Sequence, residues 1–336
     1  MNVQRDNIQR DNVQHDNVDY PRERDAAAER GAGRRHDGAG DHAGSFYPGG
    51  GRPHNISEAA LNEVARRMVM RCEWIRAGSA SPLVFSHVTA LALMGIELPM
   101  QRRFGMDEAH VVVPSRNETH RRKGVKYHVW RGLLDTVAIG GTGLECASPL
   151  TAWAQMSDTL SLGELVVLGD SIMRGDRGIY RCNRSDFGDF LLTELRFRGK
   201  AKCRRALRFM AEGVDSSWET RLRLALLQHG LPFPEVNHAV YDRLLDHDLR
   251  IDLAYPEHKV ALEYQGDHHR TSRAQYRFDQ TKRRHLQDMG WRVITVTSDD
   301  LRDDASRLDL SRSVARSMRA RMPMRLRPKY RALCEA

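Results

Sequence analysis

Leu249-Arg250-Ile251-Asp252-Leu253-Ala254-Tyr255, then Pro256-Glu257-His258-Lys259, then Val260-Ala261-Leu262-Glu263-Tyr264-Gln265 is the stretch on which the fold turns. Leu249, Ile251, Leu253 and Tyr255 alternate with Arg250, Asp252 and Ala254. Val260, Leu262 and Tyr264 alternate with Ala261, Glu263 and Gln265. A period of two predicts two strands, and the Pro-containing tetrapeptide predicts the turn between them. If the turn spans 256–259, Tyr255 faces Val260 and Asp252 stands opposite Glu263. Opposed side chains sit about 5 Å apart, and like charges there destabilise the pair. Two carboxylates on one face therefore call for a counter-charge. A divalent cation supplies it, and hard oxygen ligands suit Mg²⁺ or Mn²⁺. Gln265 shares the face of Glu263, where its amide would position a water or a phosphate oxygen.

The flanks extend this unit. Ser216-Ser217-Trp218-Glu219 starts a helix that runs to Gln228 and ends at Gly230 and Pro232. Gly266 closes the second strand. A helix around Ala274–Met289 follows, ended by Gly290, and Trp291–Thr297 is a further strand. The order read from the pattern is helix, hairpin, helix, strand.

Asp252, followed after the turn by Glu263-Tyr264-Gln265, resembles the PD-(D/E)XK nuclease core. Gly266-Asp267-His268-His269 and Asp279-Gln280-Thr281-Lys282, with Leu286, Gly290 and Trp291, are similar to the corresponding runs of domains related to very-short-patch-repair endonucleases. The resemblance implies an αβββαβ-type restriction-endonuclease-like core over 215–305. It implies metal held by Asp252 and Glu263, and Glu219 as the extra acid on the preceding helix. It also implies a metal-dependent DNA endonuclease, which hydrolyses phosphodiester bonds in repair or defence. Where the family usually carries lysine, this chain has Gln265, which brings no positive charge. Lys282, His268 or His269 would replace it if helix 274–289 folds back over the sheet. Bland readings stand beside these roles. Glu219 also completes a capping box with Ser216, and Asp279 and Lys282 are spaced for a surface ion pair. Gln265 favours an alternative function, a non-catalytic DNA-binding regulator or antitoxin-like factor.

Ahead of this unit, 57–175 reads as a mixed α+β domain. Leu61, Val64, Ala65, Met68 and Cys72 recur at helical spacing after Ser57. Ser86 precedes a helix at His87–Met94. His110–Pro114 and Val125–Trp130 read as strands with Arg121, Arg122 and Lys123 in the turn between them, and Leu144–Ala147 as a short strand. Pro149–Met156 and Leu162–Met173 read as helices. Phe85-Ser86-His87-Val88-Thr89-Ala90, Val111-Val112-Val113-Pro114, Cys146-Ala147-Ser148-Pro149 and Val166-Val167-Leu168-Gly169-Asp170 resemble a regulatory region related to abortive-infection antitoxins. That resemblance implies a DNA-binding role; the bland alternative is a dimerisation or packing domain, and with it a homodimer is a further expectation.

Segment 176–214 reads as a basic helical connector. Residues 1–56 open with near-repeats of Asn-Val-Gln-Arg-Asp and continue rich in Gly, Ala, Asp and Arg, which predicts a disordered tail. The net charge of +9 is unevenly placed: 311–336 carries eight Lys/Arg against one Glu. A basic tail over 306–336 is therefore expected to touch phosphate or stay solvated. No apolar run approaches membrane-spanning length, and five scattered cysteines form no CxxC pair. The expectation is a cytoplasmic protein with DNA and no membrane as partner.

Overall fold

The computed structural model describes residues 58–100, 105–175, 182–194, 196–266, 273–326, 330–331 and 333. The expected tail at 1–56 lies outside them. The architecture is α/β with two mixed sheets.

The front sheet is built from β1 (Val84–Phe85), β2 (Ala109–Val113), β3 (Val125–Val129), β4 (Thr136–Ile139) and β5 (Leu144–Ala147), in the order β3-β2-β1-β5-β4. Strands β2 and β3 run parallel. Arg121–Lys123 thus belong to a crossover and not to a hairpin turn. Helices α1 (Glu58–Ala77), α2 (His87–Leu93), α3 (Pro149–Met156) and α4 (Leu162–Arg174) share one core with the sheet, around Phe85, Trp153, Leu165 and Leu168. Pro149 opens α3 where its missing N–H costs nothing, and Ser148 accepts from the Thr151 amide. The two-residue β1 and the half-buried β4 escaped the sequence reading because neither is long enough to show a period.

The expected connector is part of this unit. Helices α5 (Arg184–Thr193) and α6 (Lys200–Leu207) bury Phe187, Leu191, Cys203 and Ala206 in the front core. Arg204 stays on the solvent face of α6.

The second sheet follows α7 (Ser217–Gln228). It comprises β6 (Glu235–Asp242), β7 (His247–Tyr255), β8 (Val260–Tyr264) and β9 (Arg292–Val296), in that spatial order. Helix α8 (Arg273–Asp288) is the crossover that lets β9 pair parallel to β8. The sequence order is thus helix, three strands, helix, strand. Strand β6 was not read from the residue pattern, although the αβββαβ order implied by the resemblance has a strand there: it is an edge strand whose polar residues obscure the alternation. The hairpin register is the one expected, with Tyr255 on Val260 and Leu253 on Leu262. Helix α7 and α9 (Asp304–Ser317) cover one face through Leu222, Leu226, Leu310 and Val314. Helix α8 covers the other through Leu286.

Two differences follow. The alternation expected along β7 breaks at Asp252. Leu249 and Ile251 pack with Leu286 on the α8 face, whereas Leu253 and Tyr255 pack with Leu222 on the α7 face. Strand β6 switches faces with it, Val240 on one side and Val236 on the other. Between them Asn237 adopts φ 51°. The second difference concerns the expected tail at 306–336, which starts as core. Val314, Ala315 and Met318 are buried in the second core, and Tyr330 packs near Phe209 of the front core. Among the described residues, no helix is long and apolar enough to cross a membrane.

Candidate functional site

Three elements deliver carboxylates to one place. Strand β7 brings Asp252 at the point where its faces exchange. Its Oδ2 accepts a hydrogen bond of 2.8 Å from the Tyr264 amide on β8. Strand β8 brings Glu263 on the α8 face, beside Ala261. Helix α7 brings Glu219 at its first turn, almost wholly buried at 1% exposure.

Glu219 holds a structural and a site position at once. Its amide donates to Ser216 Oγ at 3.1 Å, and its Oε2 accepts from the Asp215 amide at 3.0 Å. The box expected from the sequence is therefore shifted by one residue on the return bond. Its Oε1 is buried and has no hydrogen-bond partner among the described residues. Burial pushes the Glu219 carboxyl well above the ordinary range, and the neighbouring Asp252 carboxylate adds to that push. The Asp252 carboxyl is itself raised to about 6, chiefly by burial. Lys282 and the Tyr264 amide pull it back, while Asp215 and Asp279 oppose them.

Helix α8 folds back over the sheet. Lys282 is 7% exposed, and its Nζ lies 2.6 Å from Glu263 Oε2. Lys282 thus reaches the sheet and not only its own helix surface. Asp279, Lys282, Arg283 and Leu286 fall on one helical stripe and line one pocket with Glu263, Tyr264, Gln265, Gln280, Val293 and Thr295. Arg283 Nη1 approaches Thr295 Oγ1 at 3.4 Å. Gln265 is half-buried on that wall. The stripe that faces the sheet is polar along the pocket and turns apolar at Leu286. Polar residues at sheet-facing positions are costly without a ligand or a partner. That was the signal by which Arg283 could have been found; Gln280, exposed and off this stripe, gave none.

The structure thus gathers Asp252, Glu263, Gln265 and Lys282 at one end of the β7–β8 pair, with Glu219 beneath. His268 and His269 lie outside the described residues. The donor set is hard carboxylate oxygen, which fits Mg²⁺ or Mn²⁺. Among the described residues, no three His, Cys, Asp or Glu groups converge into a ready cation cage. Any such ion would draw on two carboxylates, with water and substrate oxygens completing it, a pattern common for Mg²⁺.

A second titratable cluster lies in the front unit. His110 Nδ1 and His128 Nε2 are 2.8 Å apart, and the ring of His87 stacks on His128 at 3.9 Å. Burial lowers all three, His110 and His128 to about 4. Rings lowered in this way favour the neutral form, which can stack and share one proton between nitrogens.

No family model matches this chain. Two uncharacterized proteins of Mycobacterium tuberculosis, from two strains, are each 31% identical to it over 143 residues, 42% of this chain and 52% of theirs. The chain thus spans about half the length of the curated relatives it matches. No solved structure matches.

Proposed function

We propose that the chain is a metal-dependent DNA endonuclease that hydrolyses phosphodiester bonds, with Asp252, Glu263 and Lys282 as its working centre. One observation carries this reading: Lys282 Nζ sits 2.6 Å from Glu263 on the pocket wall, and its charge also acts on the Asp252 carboxyl. This lysine supports the reading because it offers the charge that Gln265 lacks. Asp252 and Glu263 would hold Mg²⁺ or Mn²⁺. The bound ion would lower the pKa of a water and offset charge on the scissile phosphate. Lys282 offers a fixed ammonium to that phosphate and holds Glu263 in place. Gln265 orients a water or phosphate oxygen through its amide. Glu219 closes the floor of the site and keeps bulk water from Asp252.

The test is cleavage of plasmid and mismatched DNA in Mg²⁺ or Mn²⁺ by wild type, Asp252→Ala, Glu263→Ala and Lys282→Met. All three variants are expected to lose activity. Equal cleavage by wild type and the variants would sink the site. A second reading, a non-catalytic DNA-binding regulator, is favoured by Gln265 itself. Binding without cleavage by every form would establish it.

A further inference from the structure

Helix α7 belongs to two cores. Leu222, Ala225 and Leu226 pack against the second sheet, whereas Leu224 and Leu227 join the front core. The front-facing side also carries four polar ties, to three carboxylates. Thr220 Oγ1 donates to Asp170 Oδ2 of α4 at 2.8 Å, and Arg223 pairs with the same carboxylate. Arg221 Nη2 reaches both oxygens of Glu164, at 2.9 and 3.1 Å. Ser217 Oγ donates to Glu97 Oε1 at 2.6 Å.

The last tie differs from the others in position. Glu97 follows α2 in the front unit and is buried, its Oε2 held 2.8 Å from Arg174 Nη2. Ser217 is the first residue of α7, two residues before Glu219. One helical turn therefore carries the Ser216 cap, the anchor to the front unit and the buried acid that faces Asp252. Nothing in the cap or in the sheet requires Ser217 to be polar. Alanine would pack there with better helix propensity. The serine is explained by the Glu97 carboxylate that it meets.

We propose that Glu97 and Ser217 are positioning residues for Glu219: the front unit fixes the first turn of α7 and thereby sets the acid beneath the candidate site. The catalytic consequence rests on the nuclease reading, but the positioning does not. The front unit is then a working part of the site and not a passive neighbour. A loosened first turn lets Glu219 swing from Asp252 toward water.

The experiment uses the full ¹⁵N-labelled chain, the first turn of α7 being read by amide hydrogen exchange at Glu219, and Mn²⁺ binding is measured by calorimetry. Ser217→Ala is expected to speed exchange at the Glu219 amide about tenfold or more and to weaken Mn²⁺ binding about tenfold. Glu97→Ala should do the same from the other side. Leu224→Ala loosens the same helix interface elsewhere and should leave exchange at Glu219 where it is. Wild-type exchange at Glu219 in both Ser217→Ala and Glu97→Ala would overturn the proposal. So would an equal change in Leu224→Ala. If Glu219 responds but wild type binds no Mn²⁺, the metal reading fails and the positioning stands. If Mn²⁺ binds and Glu219 does not respond, the positioning fails and the metal reading stands.

Discussion

Two clusters of buried charge lie on either side of α7. On the front side, Asp170 is set against Arg223, Thr220 and the Ala211 amide. On the sheet side, Glu219 and Asp252 sit together, with Glu263 and Lys282 at their edge. Burial raises the carboxyl pKa in both places. The neighbours then act differently. Around Asp170 the other influences all favour the ionised form. Around Glu219 the Asp252 and Asp215 charges push in the same direction as burial, against hydrogen bonds from the Asp215 amide and Ser216. Around Asp252, Lys282 and the Tyr264 amide favour the ionised form while Asp215 and Asp279 oppose it. A buried charge that its surroundings neutralise is a structural joint. A group of acids that repel each other stores free energy that a cation would release. The contrast sets a joint apart from the candidate site without reference to any relative.

The comparison breaks most visibly at the joint. Arg223→Ala leaves Asp170 buried without its guanidinium and should cost about 3–5 kcal/mol in the unfolding free energy. Chemical denaturation of the full chain measures it; a loss below ~1 kcal/mol would mean that Asp170 simply takes up a proton.

The same kind of change in the site should act on activity instead. Asp252→Asn is expected to lower cleavage by about a hundredfold or more. Unfolding free energy should stay equal or rise, because one member of a repelling pair has gone. A variant that loses stability as well as activity would place Asp252 among the structural charges.

Acid should move the candidate site and the histidine cluster of the front unit in opposite directions. The folded Asp252 carboxyl titrates at about 6 against an ordinary 3.8, so the folded chain binds the extra proton first. Its contribution is most favourable at low pH and is lost as pH rises from about 4 to about 6. His110 and His128 titrate at about 4 against 6.5, so the unfolded chain binds their protons first. Their contribution is complete above about 6.5 and is lost as pH falls toward about 4. Thermal unfolding at stepped pH should show Asp252→Asn flattening one slope and His128→Gln the other. Identical profiles for both variants would remove the distinction.

The smallest effect belongs to Gln265→Lys. It adds a cation to a pocket wall that already has Lys282, and should change cleavage by less than about tenfold. A larger gain would show that Lys282 is not the lysine in use.

Much of this was legible in the chain. The β7–β8 register followed from the turn at 256–259 because a period of two leaves little choice once the turn is placed. Helices α3 and α4 were legible because Ser148 with Pro149, and Ser161 before an apolar stripe, are local signals. Asp252 and Glu263 stood out as acids in apolar strands. Strand β6 did not, since an edge strand can be polar on both sides. Nor did the exchange of faces at Asp252, which depends on the twist of two strands together. Arg312 and Arg316 drew the eye to a tail, yet Val314 and Ala315 between them carry that segment into the core.

The sequence by itself determined the alternating strands, the turn, the capped helices and the identity of the acids. These depend on neighbours within a few residues, where spacing and propensity act. Only the tertiary structure decided that Lys282 reaches Glu263 from another element, and that Ser217 answers to Glu97. Both contacts join residues far apart in the chain, and burial alone fixes which charges meet and which are left in excess.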